Sequence, residues 1–187
     1  MKIRYKGKYN GDPASLPQRE HPEGAVQFRE PDDMKRIALL MNALALAIVL
    51  VLCVAVELIA EVEWWDCIVG LLLVYVTALP HEFLHAIWFR EGVEVYTNLK
   101  QGMLFVIGTE DLSKSRFVFL SLFPNLVFGF LPFVLFLLFP NLVILGVMGA
   151  ANIGAGAGDY MNVFNCLTQV PKGAKVYNSG MHTYWYL

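Results

Sequence analysis

The chain has 187 residues, 57% of them hydrophobic and only 16% charged, with a mean hydropathy of +0.52, which excludes the balance of an ordinary soluble domain. The net charge of −2 decides little by itself, and no nucleic-acid partner is expected. Three cysteines without CxxC spacing, Cys53, Cys67 and Cys166, suggest neither a disulfide framework nor a thiolate zinc site and read as small apolar residues.

Residues 1–33 are polar and rich in charge, with Pro13, Pro17, Pro22 and Pro31, and read as a flexible cytoplasmic arm without a cleavable signal peptide. A membrane domain follows over 34–170. A span needs about 20 mostly apolar residues, and four segments qualify: 37–60, 67–89, 117–139 and 141 to about 167. Between spans two and three, 92–108 alternates around Val93, Val95 and Tyr96, turns at Asn98 to Gly102 and continues as MLFVI, so it reads as a short hairpin. Extended peptide can add to the edge of such a hairpin, while a plain connector dipping into the interface fits equally well. Residues 171–187 form a tail. The expected fold is all-α, a polytopic membrane protein with four transmembrane helices and a short cytoplasmic β-hairpin-like insertion.

The basic residues set the orientation. Lys2, Arg4, Lys6, Lys8, Arg19, Arg29, Lys35 and Arg36 precede the first span; Arg90, Lys100, Lys114 and Arg116 lie between spans two and three; Lys172 and Lys175 lie in the tail; and EVEWWD, between spans one and two, has none. Placing these segments on the cytoplasmic side puts both termini inside a cell membrane. Trp64 and Trp65 fit an outer interfacial belt.

The second span ends in LPHEFLHAIWF, residues 79–89, where His81, Glu82 and His85 stand among lipid-compatible side chains. Each charged group in a span centre costs about 2.5–3.5 kcal/mol, so such a trio marks a functional site. Four residues apart on a helix, the two imidazoles share a face and can reach one ion, with Glu82 beside them to handle a bound water; this is the HExxH pattern. A hydrogen-bonded cluster that ties helices together is the other reading. Pro80 removes a backbone donor just before His81, which either loosens the helix to admit water or only kinks it.

A hydrolytic zinc usually takes three protein ligands. Asp159 in GAANIGAGAGDYMNVFN is the one acid of the fourth span. Counting inward from Cys67 and Asn141 at about 1.5 Å per residue, His81 lies roughly 21 Å deep, with His85 and Asp159 both roughly 27 Å deep. The Gly154/Gly158 step would let span four approach span two; alternatively the glycines only pack helices and Asp159 pairs with an inner Lys or Arg. Asn162 and Asn165 read as partners behind Asp159 or as packing residues, Asn125 after Pro124 as orienting a substrate carbonyl or satisfying freed backbone, and His21 and His182 as solvated.

With these residues in view, the chain resembles the site-2 protease clan of intramembrane zinc metalloproteases, through HEFLHA in one span, a Gly-Val turn with a β-like segment after it, and a Gly-Asp pair in a later span. More closely it resembles a group of small four-span zincin peptidases first grouped as a domain of unknown function, from about residue 34 to the end, through Ala157, Gly158 and Asp159 and through Pro171 to Ala174. The resemblance implies one zinc ion per chain held by His81, His85 and Asp159, with Glu82 as catalytic acid and base. The longer Asn-Pro-Asp-Gly motif of the clan is absent, so its substrate-binding details do not transfer.

The expected activity is a membrane-embedded zinc metallopeptidase that cleaves membrane or membrane-proximal proteins, with the lipid bilayer and a peptide or membrane-protein substrate as partners. The alternative is a non-catalytic metal-binding scaffold or carrier. Two imidazoles and a carboxylate suit several divalent ions besides zinc.

Overall fold

The computed structural model describes residues 2–29, 34–98 and 103–187. The chain divides into two compact units, one of Met1–Arg29, Glu82–Ser121 and Asn162–Leu187, the other of Glu30–His81 and Leu122–Met161.

The second unit is helical. It holds α1 (Met34–Ile59), most of α2 (Trp64–Ala86), the end of α3 (Lys114–Asn125), a π-helical turn at Leu126–Phe130, α4 (Leu131–Leu138), α5 (Val143–Ala155) and the start of α6 (Ala157–Gln169). Long runs of Ala, Leu, Val and Ile favour helix, the one open-ended structure that satisfies every backbone group in lipid. Among the described residues, three helical stretches are long and apolar enough to cross a membrane: Ala38–Ile59, Trp64–Ala86 and Lys114–Leu138. The expected fourth span is instead two shorter pieces, α5 and α6, parted at Gly156, and α5 alone falls below spanning length. Leu39, Leu46, Leu50, Val54 and Leu58 stand exposed on α1, an apolar surface that suits lipid rather than water.

Because lipid tails are as apolar as leucine, close packing rather than burial holds such helices together. Val56, Phe133, Phe136, Val147, Ala150 and Ile153 form the core of this unit. Gly154 lets α5 touch α1: a Cβ there would lie 2.3 Å from Val49 Cγ2 and 2.8 Å from the Ala45 carbonyl. The expected role of the Gly154/Gly158 step, bringing span four onto span two, is thus corrected, because Gly154 faces α1 and a Cβ on Gly158 would meet nothing within 4 Å. The glycine that lets α5 approach α2 is on α2 itself, Gly70, opposite Val147.

The first unit corrects the all-α expectation, since it carries two sheets. In one, β1 (Lys2–Lys8) runs parallel to β3 (Gly92–Asn98), which pairs antiparallel with β4 (Met103–Ile107). The expected hairpin is therefore present as β3 and β4, with its turn at 99–102 outside the described residues. A parallel pair needs a long crossover, and the chain between β1 and β3 contains α1 and α2. The other sheet has the order β2 (Val26–Gln27), β7 (His182–Tyr186), β6 (Lys175–Ser179), β5 (Leu112–Ser113). Segments read as an arm and a tail thus supply four of the strands, β1, β2, β6 and β7: Val26 pairs with Trp185, and Leu112 with Val176. Phe28, Phe89, Val93, Leu112, Phe117 and Val176 are among the residues of the core beneath them.

Candidate metal centre

Helix α2 carries HExxH in its last two turns and continues through Pro80 to Ala86. His81 and His85 are successive on one face, where residues four apart have Cβ atoms about 5–6 Å from each other. His81, Glu82 and His85 are all half-buried.

In the helical unit, His81 meets the acid that the sequence singles out. His81 Nε2 lies 3.4 Å from Asp159 Oδ2, and only about a sixth of either side chain is exposed. The break at Gly156 makes Asp159 the third residue of a new helix, α6, where the positive end of the helix dipole favours a carboxylate. Asn125, fully buried, donates from Nδ2 to Asp159 Oδ2 at 2.7 Å, and its Oδ1 accepts from the Tyr160 hydroxyl at 3.4 Å. Asn125 is thereby placed as the residue that holds the carboxylate, a role its sequence position does not announce. Gly156 makes the arrangement possible: any Cβ there would fall 1.9 Å from Asn125 Oδ1.

In the sheet-bearing unit, His85 Nδ1 is 2.8 Å from the Leu120 carbonyl oxygen. A carbonyl only accepts, so Nδ1 carries a proton, and a neutral ring in that tautomer has its lone pair on Nε2. That is the tautomer of a metal-ligating histidine whose other nitrogen is oriented by a backbone acceptor. The donor set fits zinc on this structure's own terms. Two ligand atoms each about 2.0–2.1 Å from a tetrahedral ion stand about 3.3–3.4 Å apart, the separation found between His81 and Asp159.

Asn165 and His21 are engaged elsewhere. Asn165 is buried and accepts from Gln169 Nε2 at 3.0 Å, a contact within α6. His21, expected as solvated, sits with Nδ1 2.9 Å from the Tyr177 hydroxyl and its ring against Tyr184. Asn162 is half-buried on α6. Cys53, Cys67 and Cys166 are free thiols.

No curated protein and no solved structure matches the chain. Residues 71–175 match the sequence model of a family described as "Putative zincin peptidase", a stretch that opens inside α2 before HExxH and closes beyond α6. The match is shorter than the resemblance from residue 34 to the end, but it contains His81, Glu82, His85 and Asp159 and covers more than half of the chain. The chain therefore belongs to this zincin peptidase family.

Proposed function

We propose that the protein is a membrane-embedded zinc metallopeptidase of site-2 protease type, with one zinc ion held by His81, His85 and Asp159. The observation that carries the reading is the His81–Asp159 approach at 3.4 Å, on the helix face that also bears His85. Bound there, zinc would supply Lewis-acid polarisation of a water and of the scissile carbonyl. Glu82 takes the proton from that water as its oxygen bonds to the carbonyl carbon, then delivers it to the amide nitrogen as the C–N bond breaks. Asn125 and the Leu120 carbonyl hold Asp159 and His85 in their ligating orientations while this happens.

The substrate class follows from position. The site residues belong to stretches of spanning length or to the helix α6 that follows α5, which supports a membrane or membrane-proximal protein segment as the substrate. Strand pairing supports four membrane legs with both termini cytoplasmic. β1 pairs with β3 across α1 and α2, and β5 pairs with β6 across 114–174, which fits one outward and one returning leg in each case, α5 and α6 together forming the last. All Lys and Arg other than Lys35 and Arg36 fall in the sheet-bearing unit, the side that the charge rule assigns to the cytoplasm.

The test is cleavage of a membrane-protein substrate by the purified chain. Glu82→Gln is expected to lower the rate by at least about 100-fold, the scale of a lost general base, while zinc content stays unchanged. Cleavage at the wild-type rate in Glu82→Gln would overturn the mechanism.

A further inference from the structure

The acceptor that orients His85 is a backbone carbonyl in the middle of helix α3, where carbonyls are ordinarily committed to the N–H four residues on. Four residues after Leu120 is Pro124, which has no N–H. The usual intrahelical claimant on the Leu120 carbonyl is thus missing, and His85 Nδ1 bonds this oxygen at 2.8 Å. Leu120 and Pro124 are both buried, so no bulk water competes for the oxygen. A helical π turn starts directly after Asn125, which lets the chain pass the proline without ending the helical stretch.

We infer that Pro124 is a positioning residue: by withholding a backbone donor it reserves the Leu120 carbonyl for His85 and so fixes the Nδ1–H tautomer that leaves Nε2 to bind metal. As an account of metal binding it rests on the ligand set proposed above. The kink is incidental in this scheme, and the missing N–H is the functional feature. The next residue, Asn125, holds Asp159, so adjacent positions of α3 serve two of the three ligands by different means, one by lacking a donor and one by supplying it.

The experiment uses the whole chain in detergent, labelled with nitrogen-15 histidine and freed of metal, in three forms: wild type, Pro124→Ala, and a variant with the α-hydroxy acid analogue of alanine at position 124. Alanine restores the N–H, while the hydroxy acid removes both ring and N–H. Proline is the poorest helix former, so replacing it by alanine favours the helix, and helicity by circular dichroism serves as the check on fold. The long-range proton–nitrogen spectrum reports which ring nitrogen of His85 is protonated; its signal is identified by its loss in His85→Gln. Wild type is expected to show Nδ1–H, Pro124→Ala a mixture of tautomers with zinc bound about 10–100-fold more weakly in chelator competition, and the hydroxy acid variant a return to wild-type behaviour. Nε2–H in wild type, or a Pro124→Ala protein identical to wild type in tautomer and zinc affinity, would overturn the inference. If wild type bound no zinc yet lost its Nδ1–H preference in Pro124→Ala, the metal reading would fall and the role of Pro124 in setting the tautomer would stand.

Discussion

Asn125 and Gly156 form a lock on Asp159 that can be tested one atom at a time. Gly156 has φ −73°, a conformation any residue adopts, so Gly156→Ala acts through its methyl group alone. That methyl would overlap Asn125 Oδ1, forcing Asn125 off Asp159. Overpacking of this kind costs about 1–3 kcal/mol. Zinc affinity measured by chelator competition is expected to fall about 10–100-fold in Gly156→Ala and equally in Asn125→Ala, as when other orienting partners of a ligand are removed. An affinity unchanged in Asn125→Ala would show that Asp159 needs no such support. The proposed ligands His81, His85 and Asp159, with Glu82 beside them, stand out in the sequence as ionisable groups within long apolar stretches. Their supports do not. An asparagine after a proline has several ordinary explanations, and a backbone carbonyl such as that of Leu120 leaves no mark in the sequence beyond a proline four residues later.

At the level of elements, β1 is the clearest case of structure hidden by composition. Its residues alternate Lys, Ile, Arg, Tyr, Lys, a pattern that a solvated arm shares with an edge strand. What fixes it is the long-range pairing with β3, the Lys6–Glu94 ion pair at 3.0 Å, and Tyr9 packed edge-on against Tyr96 and Phe105. β2 and β5, two residues each, fall below the length at which alternation is visible. By contrast α1, α2 and the α3–α4 stretch were visible from hydropathy to within a few residues. Burial pushes the Glu94 carboxyl up, but the Tyr96 hydroxyl and the Lys6 ammonium outweigh it and hold the group below the usual carboxylate range. A carboxyl depressed by folding stabilises the paired strand above its ordinary range and loses that contribution as pH falls through it. Amide exchange in β1 is therefore expected to speed up, relative to β6, between about pH 5 and 3, and Lys6→Ala is expected to start from a weaker attachment, by less than about 1 kcal/mol for so exposed a pair. A ratio of β1 to β6 exchange that is flat over this range would contradict the pairing energetics.

For the molecule as a whole, the proposed four membrane legs make a prediction about which side of a membrane each loop faces. Single cysteines placed by Glu23→Cys and Lys172→Cys in a background without native thiols are expected to react with an impermeant reagent from one side of oriented vesicles, and those placed by Glu61→Cys and Asn141→Cys from the other. Labelling at position 141 from the same side as 172 would contradict the four-leg arrangement. The proposed function requires that HExxH on α2 and Asp159 on α6 hold a single ion. The most direct measurement is the zinc content of the detergent-purified chain for wild type, His81→Ala and Asp159→Ala, each checked for fold. About one zinc per chain in wild type and close to none in either variant is the expected result. Folded wild type that stays free of zinc when the ion is supplied would contradict it, and would leave His81, Asp159 and Asn125 as a polar cluster that joins helices.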